Sequence, residues 1–179
     1  MEMSSIQVVP APPDRVWTAL NDPQLLKACI TGCEEIERVA DNEYKVAMSV
    51  KVGPVSAKFA GKIFLVDLVP PESYTLNFEG QGGMAGHAKG TAKVSLSPDG
   101  EATKLAYTAS AQIGGKLAQI GSRLVDGAAN KMAADFFAAL ARELEKQAQE
   151  PSAQLSGTPA DAPEAIVSQT GNPPRDDAI

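Results

Sequence analysis

The stretch IGSRLVDGAANKMAADFFAALAREL, residues 120–144, decides the fold, because the periodicity of the chain changes there. Ile120, Leu124, Ala128, Met132, Phe136, Leu140 and Leu144 recur every four residues, and Val125, Ala129 and Phe137 widen the stripe. Apolar residues at that spacing share one face of an α-helix. The pattern predicts a helix over 119–146, about 42 Å long at 1.5 Å per residue.

Upstream, from about residue 33 to 113, the period is two. Turn signals at Asp41-Asn42, Gly53-Pro54, Pro70-Pro71, Gly82-Gly83 and Pro98-Asp99-Gly100 divide this region into six runs: 33–39, 43–52, 55–67, 73–80, 85–97 and 102–113. Regularly spaced strands joined by short turns read as an antiparallel meander. Ahead of them, Ser5–Val9 is a short apolar strand closed by Pro10. Residues 14–20 form a short helix after Pro12-Pro13, and Asp22-Pro23 starts a second, with Asp as N-cap and Pro in the first turn. The order is strand, two short helices, six strands, one long helix: an α+β fold. A seven-stranded sheet of this length must curl, and the terminal helix buries its stripe only against the concave face.

Composition agrees. The 179 residues carry 16 bases and 22 acids, net −6, but the charge is uneven. Residues 150–179 hold Glu150, Asp161, Glu164, Asp176 and Asp177 against Arg175 alone, which leaves residues 1–149 near neutrality. All the aromatics precede position 138. The reading is one folded domain over 1–148 and an acidic, Pro/Ala/Ser-rich tail over 149–179 that is expected to be disordered. An acidic chain without a dense Lys/Arg run does not fit nucleic-acid binding. No stretch approaches the ~20 apolar residues of a membrane span, and the N-terminus lacks the pattern of a signal peptide. Two cysteines, Cys29 and Cys33, form no secreted disulfide framework, so a cytoplasmic setting is expected. With one histidine, metal chemistry is not expected.

Alternation assigns the inward face of each strand. Lys58, Lys62, Lys89, Lys93 and Lys104 must face water, as must Lys45 and Lys51, which puts seven lysines on the convex face. Met48, Phe59, Ile63, Ala88, Ala92, Tyr107, Ala109 and Ala111 then face inward, with Tyr74 and Phe78 on the strand between. Neighbouring strands thus carry small inward sets, Ala88/Gly90/Ala92 and Ala109/Ala111. Either Met132, Phe136 and Phe137 interdigitate with them, or they enclose a cavity for an apolar ligand. The cavity reading assigns Leu124, Ala128, Met132 and Phe136 to the helix side, and Tyr107 or Tyr74 as a polar handle. Gly82, Gly83, Gly114, Gly115 and Gly121 are its expected entrance.

Other motifs carry less. Gly80–Ala85 matches a dinucleotide fingerprint superficially, but lies between two strands rather than between a strand and a helix. His87 has outward parity and no partner to activate it. No G-x-S-x-G and no P-loop are present, and no catalytic constellation is expected.

Pro10-Ala11-Pro12-Pro13-Asp14-Arg15-Val16-Trp17, Asp22-Pro23, Gly32-Cys33-Glu34, Tyr44, Gly53-Pro54-Val55, Gly61, Phe136-Phe137 and above all GGKLAQIGSRL at 114–124 resemble the CoxG family of carbon monoxide dehydrogenase subunits. That family lies within the START/Bet v 1-like (SRPBCC) helix-grip superfamily. The resemblance covers about residues 1–146, and departs at Thr31, where relatives commonly have Pro. It implies a helix-grip fold and a non-catalytic accessory of molybdenum-containing dehydrogenases of the carbon monoxide/xanthine dehydrogenase type. It further implies a small lipophilic ligand, a respiratory quinone being the leading candidate, and transient contact with the inner membrane face. Some members end in a membrane-binding segment. Here Leu155 and Ile166-Val167 stand isolated among polar residues, so stable self-anchoring is not expected. The rival readings are a ligand-free adaptor or assembly factor for that dehydrogenase and a helix-grip enzyme. Oligomeric state stays open.

Overall fold

The computed structural model describes residues 1–149. The expected tail therefore lies, but for Gln149, outside the described residues. The chain runs β1 (Glu2–Val9), α1 (Pro13–Leu20), α2 (Pro23–Cys29), β2 (Cys33–Ala40), β3 (Glu43–Val52), β4 (Val55–Val69), β5 (Ser73–Gln81), β6 (His87–Asp99), β7 (Ala102–Gly114), α3 (Lys116–Gln119) and α4 (Ser122–Ala148). The seven strands form one antiparallel sheet in the order β1-β7-β6-β5-β4-β3-β2. This is the sheet and long helix expected from the element order, and the helix-grip fold that the resemblance implies.

Local chemistry sets the boundaries. The Asp22 carboxylate accepts the backbone N–H of Gln24 at 3.0 Å, capping α2 behind Pro23. Register shifts between Val66 and Val69 in β4, and at both ends of β2, bend the sheet. Several boundaries differ from the sequence reading, and three starts are informative. The strand at the N-terminus begins at Glu2. Residues 83–85 wind into a single 3-10 turn, so β6 starts at His87. The long helix starts at Ser122, because Gly121 adopts φ +100° and separates it from α3; four-residue spacing alone cannot see that break.

Two apolar clusters organise the interior. The larger joins Val16, Leu20 and Leu25 of the short helices to Leu105, Val94 and Tyr74 of the sheet and to Leu140 and Leu144 of α4, both 0% exposed. Arg15 donates to the Leu144 carbonyl at 3.1 Å, and the fully buried Thr103 hydroxyl donates to the Ala11 carbonyl at 2.6 Å. These bonds tie α1 to the helix end and to β7. The smaller cluster, Val52, Phe59, Ala85 and Leu117 with Met48, Ile113, Ile120 and Ala128, fills the end where the β3–β4 and β5–β6 turns meet α3. All seven lysines of the convex face are exposed. Register nevertheless interleaves acids with them: Glu37, Lys45, Lys62, Glu79 and Lys89 form one row across five strands.

Candidate functional site

Bordered by the larger cluster, the sheet and α4 enclose a cavity of about 340 Å³. All seven strands line it. β1 gives Met3, β2 Ile36, β3 Tyr44, β4 Ile63 and Leu65, and β5 Tyr74 and Leu76. β6 gives Ala92 and Val94, and β7 Leu105, Tyr107 and Ala109. Helices close the other side with Leu20, Leu26, Ile30 and Thr31 around α1 and α2, and Ala129, Met132, Ala133, Phe136 and Phe137 of α4. Ala92 and Ala109 sit opposite each other in register, and both small side chains line the space. No lining side chain is charged. Charge burial is costly, so this interior favours apolar occupants.

Three tyrosines carry the polarity. Tyr44 is used structurally: its hydroxyl donates to the Asn21 carbonyl at 3.2 Å and accepts from Arg38 at 2.9 Å. Tyr74 meets Trp17 edge to face at 5.4 Å, and Tyr107 stacks on Phe137 at 5.5 Å. Among the described residues, no group hydrogen-bonds the hydroxyl of Tyr74 or Tyr107. Burial pushes the titration of both phenols upward, for Tyr74 with a further push from nearby Tyr44. Both remain neutral donors at physiological pH. They stand in one row, each opposite Val94 on the strand between them.

The structure brings together Ile63, Tyr74, Ala92, Tyr107, Ala109, Met132 and Phe136 from the expected set. It places the others elsewhere. Met48, Phe59 and Ala128 belong to the smaller packed cluster. Phe78 covers Gly90, where a methyl group would come 2.7 Å from its ring. Ala111 shares a register row with Phe78 and Gly90, and Ala88 lies two residues further along β6 toward the β5–β6 turn. Leu124 is 46% exposed, at the β3–β4 turn beside Gly53. Parity assigned the right face of each strand but could not say how far along the strand the packing stops.

None of the five glycines of the expected entrance lines the cavity. Gly86 and Gly115, at φ +119° and +77°, cross backbone to backbone, and a Cβ on Gly115 would lie 2.4 Å from the Gly86 Cα. Gly82 lies against the Phe59 ring and Gly114 against His87. These glycines let two turns pack shut. Among the lining residues outside the expected set, Leu20, Leu26, Ile30 and Thr31 come from segments too short to show a period, and the rest come from the strands and from α4. The exposed Thr31 lines the cavity from the α2–β2 connection.

Among the described residues no three His, Cys, Asp or Glu side chains cluster to hold a metal, and no helix is long and apolar enough to cross a membrane. The thiols are protected. Burial, with Glu143 nearby, pushes Cys29 up to about 11.

A family model for CoxG, a carbon monoxide dehydrogenase subunit, matches residues 6–145. Among solved structures, a conserved protein from Geobacillus kaustophilus is 33% identical with a TM-score of 0.77, over 82% of this chain and 96% of that one. A START superfamily protein from Mycobacterium smegmatis, 13% identical, has a TM-score of 0.63 over 82% and 98% of the two chains. The Zhui aromatase/cyclase from Streptomyces sp. R1128, 15% identical, also has a TM-score of 0.63, over 84% and 96%. The last two share the fold. No curated protein sequence matches the chain.

Proposed function

This chain belongs to the CoxG family of carbon monoxide dehydrogenase subunits, within the START/Bet v 1-like helix-grip superfamily, and on that footing we propose that it is a non-catalytic carrier of a small lipophilic molecule. It serves a molybdenum-containing dehydrogenase of the carbon monoxide/xanthine dehydrogenase type. The observation that carries this reading is the 340 Å³ uncharged cavity, closed by α4 and lined from every strand of the sheet. Each Å² of apolar ligand surface removed from water contributes about 25 cal/mol. Burying roughly 300 Å² thus supplies about 7 kcal/mol before ordering costs, so apolar burial drives the binding and a longer apolar ligand binds more tightly.

The two unpartnered phenols add selectivity. An apolar molecule bearing a carbonyl accepts a hydrogen bond from Tyr107 or Tyr74, and a pure hydrocarbon leaves both unsatisfied. A respiratory quinone combines the required apolar bulk with such oxygens, and is the ligand class we assign. The site comprises Ile63, Tyr74, Ala92, Tyr107, Ala109, Met132 and Phe136, extended by Leu20, Leu26, Ile30 and Phe137. Location in the cytoplasm with transient contact at the inner membrane face follows from the same role.

Native mass spectrometry of protein purified from its own host tests the proposal. A bound lipophilic species, absent from an Ala109→Phe variant, supports it. An unliganded wild type contradicts it. Co-purification with dehydrogenase subunits that survives Ala109→Phe in an unliganded protein would favour the ligand-free adaptor.

A further inference from the structure

The two edges of the sheet are built differently. β2 carries Glu34, Glu35, Glu37 and Arg38 among its eight residues, and its register shifts at both ends. Charges and bulges of this kind discourage a further strand from pairing. β1 has neither device. Its register with β7 is unbroken from Glu2 to Val9, Glu2 is its single charge, and no proline interrupts it before Pro10.

The hydrogen-bond phase of β1 defines what that edge offers. Met1 and Ala111 exchange both backbone bonds, at 2.9 and 3.1 Å. Exchange therefore recurs at the odd positions Met3, Ser5, Gln7 and Val9. The N–H and C=O groups of Glu2, Ser4, Ile6 and Val8 point away from β7, and among the described residues nothing pairs with them. The side chains of these same residues lie on the outer face, with Ile6 65% and Val8 63% exposed. The open edge is thus a row of unpaired backbone groups beside two uncovered aliphatic side chains.

We propose that β1 pairs antiparallel with β1 of a second copy of this chain, across a two-fold axis, to make a continuous sheet through the dimer. Charge selects the occupant and the register. With Glu2 opposite Val8 and Ser4 opposite Ile6, the even positions exchange bonds over the whole length without involving Pro10. In that register the partner's Glu2 falls in the row that continues through Val8 to Lys104. The two charged residues are two strands apart, about 10 Å between backbones, with only the short Val8 between them on the same face. The two-fold axis creates this Glu2–Lys104 pair twice and brings no like charges together. Because β2 is protected, the assembly closes at two copies and does not propagate as a ribbon. A strand-edge contact is smaller than the ~800 Å² per partner of a standard interface, so the dimer is reversible.

Sedimentation of the full chain from micromolar to near-millimolar concentration tests this. The mean mass should rise from 18.7 kDa toward twice that value. Ile6→Pro removes an edge N–H that β7 does not use, so it should leave the fold intact and hold the mass at 18.7 kDa throughout. Charge exchange provides a second arm that leaves the backbone untouched. Lys104→Glu should weaken dimerisation about tenfold, and adding Glu2→Lys should restore it. A wild type that stays monomeric at every concentration would overturn the proposal. So would a folded Ile6→Pro variant that dimerises like wild type, or a double exchange that restores nothing.

Discussion

Tyr107 stacks on Phe137 while its hydroxyl has no protein partner among the described residues, and that combination makes a sharp prediction. Tyr107→Phe keeps the ring and its stacking, so stability should change by less than about 0.5 kcal/mol. Affinity for a carbonyl-bearing ligand should fall roughly five- to tenfold, the worth of one hydrogen bond. Chemical denaturation and a ligand titration separate the two effects. Cys29 gives a second prediction. Its folded-state pKa is raised from 9.0 to about 11, so folding favours the neutral thiol. Its contribution is complete below pH 9 and is lost as the pH rises from 9 through 11. Alkylation at mildly alkaline pH should therefore modify Cys29 only when the protein unfolds, and a Cys29→Ser variant should lose less stability over that interval than wild type. At this scale, side-chain parity made Ile63, Ala92, Tyr107 and Ala109 legible from the sequence. It could not separate them from Met48 and Phe59, which share the same faces but lie where the turns pack shut.

Along α4 one apolar stripe serves two purposes. Leu140 and Leu144 are fully buried against α1 and the sheet, whereas Met132 is half-buried at the cavity wall. Leu140→Ala should cost about 3–5 kcal/mol by thermal or denaturant unfolding. Met132→Ala should cost much less, because the space it vacates joins an existing cavity. Equal losses would show that the middle of the helix packs like its end. The glycine turns make the complementary case. Gly115→Ala adds strain at φ +77° and drives a methyl group into the Gly86 backbone. It should destabilise the fold without specifically altering ligand affinity, as befits a packed closure and not an entrance. The four-residue period revealed α4, but it ran through Gly121, since a stripe of side chains carries no information about a left-handed residue within it. The roles of α1 and α2 were illegible for a related reason: seven or eight residues are too few for a face to repeat.

As a whole, the molecule sets a curved sheet against a long helix and leaves their centre unfilled. The order of strands and helices is set by turn residues and by the change from period two to period four, so the fold could be read from sequence. The size of the cavity depends on which large side chains meet which small ones across strands. That requires the registers which align Ala92 with Ala109 and place Tyr74 and Tyr107 on either side of Val94. Trp17, the only tryptophan, touches Tyr74 at the cavity wall and so reports directly on its contents. Titration of Trp17 fluorescence with a decyl-substituted benzoquinone, in wild type and in Ala109→Phe, is the most direct test of the carrier function. The account predicts saturable one-to-one quenching for wild type, weakened at least tenfold in a folded Ala109→Phe variant. Equal quenching in both proteins, or none in wild type, would contradict it.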